Sequence, residues 1–206
     1  MLPPLVGRLT LVLLFVAALF WPMTVSLAAS PGTNGALAGT PIHSMVLGHS
    51  RGAQLAHRFA EFRPDRVLAV AALSAGTYTL PLASGPQGNM RFPFGIKDLA
   101  QYGGSAFDPA RFDGIQFWVG VGGLDTNPAD VPHQWDSYEG KTRVQRAQAF
   151  AAAMQQVGAS SVLRVFGDAR HDVTTEMRLA ACAFLGKAMQ PRAPFGSPLA
   201  EAPVRY

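Results

Sequence analysis

The chain has a single cysteine, Cys182, among 206 residues. No disulfide can close within it, so a disulfide-stapled fold is excluded, while the redox compartment is left open. Cys182 lies in an alanine-rich apolar stretch, which predicts a small core residue rather than a reactive thiol. Charge is also scarce, at 15% of residues, and the net charge of +4 is spread along the chain with no block of Lys and Arg. With no basic run and no binding motif, the composition gives no case for a nucleic-acid partner. Low charge beside 49% apolar residues excludes a disordered chain and leaves material for one domain with a sizeable core.

Long apolar runs are missing except at the N-terminus. Arg8 closes a short positive segment, Leu9 to Trp21 is apolar apart from Thr10, and Ser26-Leu27-Ala28 resembles a small-residue cleavage site. Residues 1–28 therefore read as a signal peptide cleaved after Ala28. The alternative is an uncleaved membrane anchor through residues 9–27, close to the ~20 residues that span a bilayer; Pro22, Thr24 and Ser26 favour cleavage. The body is expected outside the cytoplasm, periplasmic or secreted in the first case and membrane-anchored in the second. Residues 29–41 read as a Gly- and Pro-rich linker, 42–189 as the domain, and 190–206, with four prolines, as a flexible tail.

The domain is organised around Gly48-His49-Ser50-Arg51-Gly52. This fits G-x-S-x-G, in which a serine sits on a sharp turn between a buried strand and a helix. The turn strains the backbone at the serine and brings strand and helix close together, hence the flanking glycines. The pattern alone is weak, so its surroundings decide. Ile42 to Leu47 is short and apolar, as a parallel strand should be. After Arg51, Ala53, Leu55-Ala56, Phe59-Ala60 and Phe62 recur at helical spacing until Pro64. Further strands are predicted at Val67–Leu73, Ile115–Val121 and Ser161–Phe166, and helices at Lys141–Val157 and Thr174–Met189. In the first of these helices Val144, Ala147, Phe150-Ala151 and Met154 should face inward, with Arg143 and Arg146 facing water. Residues 77–113 have no sustained period. Their aromatics, among them Tyr78, Phe92 and Phe94, either wall an apolar substrate pocket as a lid or pack the loop onto the sheet.

Alternating strands and helices predict an α/β fold, a parallel sheet with flanking helices whose ligands bind at the carboxyl ends of the strands. Ser50, Asp125 and His171 each fall just beyond such an end. Their roles follow from their chemistry: His171 takes the Ser50 proton, and Asp125 orients the imidazole and stabilises its charged form. Arg51 offers a backbone N–H at the helix N-terminus for a developing oxyanion. Among the other histidines, His49 is expected to shape the pocket with its side chain turned from Ser50, His57 to lie on the helix surface, and His43 to sit within the first strand. His133 is the competing base. Asp168 and Asp172 flank His171 and are weaker orienters than a carboxylate arriving from another strand end.

The Gly48–Gly52 motif, Ala72-Leu73-Ser74-Ala75-Gly76, Gly123-Leu124-Asp125-Thr126-Asn127-Pro128 and the His171 loop together resemble the C-terminal half of a bacterial α/β-hydrolase of the serine esterase or depolymerase-like kind. The likeness covers about residues 42–189 and includes Trp135–Arg143, to which no chemical role attaches. It implies hydrolysis of a small-molecule carboxylic ester through an acyl-enzyme on Ser50, with no metal or organic cofactor. Members of this fold place strands ahead of the elbow, and a loop there supplies a second oxyanion N–H. The expectation is thus an α/β-hydrolase fold lacking its N-terminal strands, with one oxyanion donor visible and a sheet edge that a second copy of the chain could cover. The alternative is a truncated, non-catalytic remnant acting at most as a binding or membrane-tethered module.

Overall fold

A computed structural model describes residues 43–190. The expected signal peptide or anchor, the linker and the tail beyond Gln190 lie outside the described residues.

Val67-Leu-Ala-Val-Ala-Ala-Leu73 is apolar on both faces, and it forms a central strand, β2 (Val67–Leu73). On one side it pairs in parallel with β1 (Ser44–His49). Between these two strands the chain forms α1 (Arg51–Phe62), which ends where Pro64 follows. The remaining elements are short pieces in the 77–113 segment, then a second strand–helix–strand run. The short pieces are a two-residue ladder, β3 (Ser84–Gly85) with β4 (Gly88–Asn89), and single helical turns α2 (Ala100–Gly103) and α3 (Pro109–Phe112). Next come β5 (Gln116–Gly122), the turn α4 (Asp136–Glu139), α5 (Arg143–Gln156), β6 (Ser161–Phe166) and α6 (Thr175–Ala188). The four main strands form one parallel sheet in the order β1-β2-β5-β6. The expected α/β architecture is therefore present.

Side-chain alternation divides the core into two layers. Val70, Ala72, Phe117, Val119 and Val121 point to the face covered by α1 and α5, where they meet Ala53, Ala56, Ala60, Ala147 and Phe150. Ala69, Ala71, Leu73 and Trp118 point to the other face, beneath Met177, Ala181 and Leu185 of α6. Full burial of each large apolar side chain contributes roughly 1.5–3 kcal/mol. The alanines matter for a different reason: small side chains on both α1 and β2 let the helix lie close to the sheet, and this sets the height of its first turn.

Several expectations change. The first strand starts at Ser44 and runs to His49, so His43 precedes it. Cys182 is exposed, because the core-facing stripe of α6 is Met177, Ala181, Leu185 and Ala188 and the next residue points about 100° away. Arg143 and Arg146, expected in water, are buried, at 7% and 0% exposure. Their side of α5 faces the segments 74–76 and 130–140, which supply acceptors for both guanidinium groups. Residues 77–80 are buried as well, so the 77–113 segment begins as part of the core.

Candidate active site

Ser50 occupies the step from β1 into α1. Its backbone has φ 55° and ψ −116°, in the left-handed region that a side-chain-bearing residue avoids. Two features hold it there. The Ser50 N–H donates to the Leu73 carbonyl (2.8 Å), extending the β1–β2 ladder by one residue. A Cβ at Gly48 would collide with the Gly52 backbone and lie 2.6 Å from the Ala53 nitrogen, so strand and helix approach this closely only with glycine at 48. Ser50 stands at the N-cap of α1 but makes no capping bond with its side chain. The Gln54 N–H donates to the Ser50 carbonyl (3.1 Å), and the N–H groups of Arg51, Gly52 and Ala53 have no acceptor in the helix and none on the Ser50 side chain.

The Ser50 hydroxyl is instead 3.0 Å from His171 Nε2. His171 Nδ1 is 2.8 Å from Asp125 Oδ2. The carboxylate can only accept, so Nδ1 carries the proton and Nε2 is left as the acceptor for the hydroxyl. Asp125 follows β5, and His171 lies in the loop after β6. These two loops are bound to each other: the Leu124 N–H donates to the Ala169 carbonyl (2.9 Å), and a Cβ at Gly122 would collide with the Arg170 carbonyl. Asp172, an expected weaker orienter, accepts from the Arg170 N–H instead, and Asp168 is exposed.

Asp125 is 4% exposed. Burial alone would raise its carboxyl, but the hydrogen bond from His171 and the charge of Arg143 outweigh it and hold the group below the usual carboxylate range. Arg143 Nη1 donates to Asp125 Oδ1 (2.9 Å) and its Nη2 to the Asp130 carbonyl (2.9 Å). Sequence reasoning gave Arg143 no role, and its only signal was the unexplained likeness across Trp135–Arg143. One turn further on, Arg146 donates to the carbonyls of Gly76, Pro132 and Gly140 and to Asp136 Oδ1, fastening the loops beside the site. Glu139 accepts the Tyr78 N–H on both oxygens (3.1 and 2.9 Å) and clamps the chain leaving β2.

The other expected site residues divide. His49 is half-buried with its ring centroid 4.9 Å from that of His171, so it packs beside the base. Burial and the neighbouring His171 imidazole lower its pKa. Tyr78 is fully buried, stacked on Phe150 and tilted against His57, which makes it core and no pocket wall. Phe92 packs on Phe62, the last residue of α1, and so lies near the end of the helix remote from Ser50. Phe94 stacks on Tyr138 and tilts against Trp135. These aromatics pack the segment onto the domain.

His57 is not on the surface. It is fully buried, with Nδ1 donating to the Ala53 carbonyl (2.9 Å) and Nε2 accepting the Thr79 N–H (3.0 Å). His133, the competing base, is exposed and faces Asp136 (3.1 Å). His43 lines a cleft of about 670 Å³ with Arg63, Asp65 and Val67, at the amino ends of β1 and β2 and thus opposite Ser50. Among the described residues no group of three His, Cys, Asp or Glu could hold a metal ion.

No family model and no curated protein matches the chain. Solved structures that resemble it include a ferulic acid esterase (20% identity, 72% of this chain and 52% of that one, TM-score 0.45). Two others are esterase PE8 (16% identity, 72% and 52%, TM-score 0.43) and SOBER1 from Arabidopsis thaliana (11% identity, 74% and 56%, TM-score 0.45). The chain spans about half the length of each. Its own topology is more telling: the serine follows one strand of a parallel sheet, and the acid and the base follow the third and fourth strands, in the chain order Ser, Asp, His. A four-stranded parallel sheet with flanking helices, a serine with positive φ at the first strand's end and a glycine-dependent contact beneath it together have the strand–serine–helix arrangement of the α/β-hydrolase fold.

Proposed function

We propose that the protein is a serine hydrolase acting on carboxylic esters through an acyl-enzyme on Ser50. The observation that carries this reading is the unbroken hydrogen-bonded chain from the Ser50 hydroxyl through His171 to the buried Asp125 carboxylate. As Ser50 Oγ adds to the ester carbonyl, His171 Nε2 takes its proton. Asp125 stays ionised and stabilises the imidazolium. The oxyanion forms at the positive end of α1, where the Arg51 N–H can donate; one such donor lowers the barrier by about 3 kcal/mol. Collapse expels the alkoxide with the proton from His171, leaving the acyl group on Ser50. Water then enters and gives a proton to His171 as its oxygen adds to the acyl carbon; collapse breaks the bond to Ser50, His171 returns the proton to Ser50 Oγ, and the acid leaves. The apolar N-terminal run supports placing this chemistry outside the cytoplasm.

The test is hydrolysis of short p-nitrophenyl esters by the purified chain, together with labelling by a fluorophosphonate. Wild-type protein should turn over and label, whereas Ser50→Ala should not label and both Ser50→Ala and His171→Ala should lose several orders of magnitude in turnover. Equal turnover in the variants would end the proposal. A wild-type chain that neither labels nor hydrolyses would favour a non-catalytic binding role.

A further inference from the structure

We propose that Arg143 is the positioning residue of the candidate triad: it pins the Asp125 carboxylate by Oδ1 so that Oδ2 faces His171, and it shares that carboxylate's charge with the imidazole. The inference rests on the triad reading above and concerns how its acid is held.

Asp125 accepts one hydrogen bond on each oxygen, from His171 on Oδ2 and from Arg143 on Oδ1. A carboxylate anchored at only one oxygen can rotate about its terminal bond. Anchoring both fixes the plane into which the imidazole must fit. Arg143 is itself fixed. It begins α5, its other terminal nitrogen donates to the Asp130 carbonyl, and its Nε is buried with no partner among the described residues. A buried guanidinium with an unpartnered donor is a net cost unless its charge is matched. The nearest match is Asp125, since the Asp130 carboxylate is half exposed and 4.0 Å away.

Arg146 lies one turn along the same helix and is equally buried, but it spends its donors on three loop carbonyls and Asp136. Loop fastening thus falls to Arg146, and only Arg143 reaches the acid.

The groups facing this pair are few. His171 meets Asp125 and Ser50, with His49 alongside from β1, while Asp168 and Asp172 of its own loop are exposed. Arg143 meets Asp125 and, more distantly, Asp130. Removing the guanidinium therefore leaves the carboxylate charge to His171 alone.

Arg143→Gln and Arg143→Lys separate orientation from charge. In Arg143→Gln, kcat for a p-nitrophenyl ester should fall by up to about 100-fold, while KM stays within about twofold. The acidic limb of its kcat/KM profile should move to higher pH by about half a unit or more. Arg143→Lys restores the charge but not the second anchor at Asp130. Its acidic limb should return to the wild-type position, with kcat only partly recovered. A second readout needs no turnover: the His171 Cε1–H signal, titrated by NMR in the full chain, should have its midpoint raised in Arg143→Gln.

A folded Arg143→Gln protein with wild-type kcat and an unmoved His171 midpoint would overturn the proposal. If Arg143→Gln does not fold, a wild-type kcat in Arg143→Lys has the same force. Failure of the hydrolase reading would look different: Ser50→Ala would be as active as wild type, and the NMR midpoint would still report whether Arg143 holds the acid.

Discussion

Ser50 is held in a backbone conformation that costs of order 1–3 kcal/mol, and this strain turns its hydroxyl away from its own helix and toward His171. Asp125 has the opposite character, since its backbone is unremarkable and its burial is what counts. Asp125→Asn keeps the shape but can donate to His171 Nδ1, favouring the tautomer that cannot accept the Ser50 proton. Its kcat should drop by roughly 10⁴-fold while circular dichroism and the thermal midpoint stay close to wild type. A loss under tenfold would mean that Asp168 or Asp172 orients the base. The juxtaposition of Ser50, Asp125 and His171 was legible in the sequence because each follows an apolar run that reads as a strand, and the ends of parallel strands lie together. His57 and Arg143 were not legible. Each is a polar side chain buried by acceptors or donors from elsewhere in the chain: Thr79 for one, Asp125 and Asp130 for the other. No local periodicity reports such a partner.

At the scale of elements, α1 and α5 differ in how far their sequences describe them. α1 keeps its expected span and buries Ala53, Ala56 and Ala60, but it buries His57 beside them and leaves Leu55 and Phe59, part of the expected apolar spacing, exposed. α5 places two arginines where an amphipathic pattern would put them in water, because the loops around it are built from carbonyls that need donors. α1 also carries Glu61, buried with neither carboxylate oxygen partnered among the described residues. Burial raises its pKa well above the ordinary value, against the pull of Arg58 and with Glu139 adding to the shift. Glu139, on α4, is pushed up to about 8 by burial, opposed by the Tyr78 N–H and the Arg146 and Arg58 charges. The folded state therefore holds protons on both carboxyls that the unfolded chain releases near pH 4–5. Their contribution to stability is complete below that range and is lost as pH rises through the folded values.

Buried His57, whose pKa burial lowers well below the ordinary value, works the other way: its contribution grows as pH rises to about 6.5 and is then constant. Between pH 6.5 and 8 His57 no longer changes stability while the two carboxyls still do, so the urea midpoint should fall as pH rises across this window. Glu139→Gln and Glu61→Gln should each flatten the fall, and a profile equally steep in both variants would disprove the assignment.

The whole domain is two apolar layers sharing one sheet. Phe150 belongs to the layer under α1 and α5, Met177 to the layer under α6. Phe150→Leu and Met177→Leu should each cost about 1 kcal/mol. The double variant should equal their sum within about 0.5 kcal/mol, because the two sites share no partner. Urea unfolding followed by far-ultraviolet circular dichroism and by tryptophan fluorescence should give coincident single transitions. Two separated transitions would show that the layers melt independently.

The bonds between the loops after β5 and β6 also divide the molecule in another sense. Residues 44–73 carry the candidate nucleophile Ser50, and residues 116–171 carry the candidate acid Asp125 and base His171 already hydrogen-bonded together. The β2–β5 ladder is the seam of the sheet between the two halves. The His171–Asp125 bond is internal to one half, whereas the Ser50–His171 bond spans the seam. A shear or twist at that seam would part Ser50 from His171 and leave His171 and Asp125 together; the seam is braced against it by Arg146 on the Gly76 carbonyl, by Glu139 on the Tyr78 N–H and by α6 lying across β2.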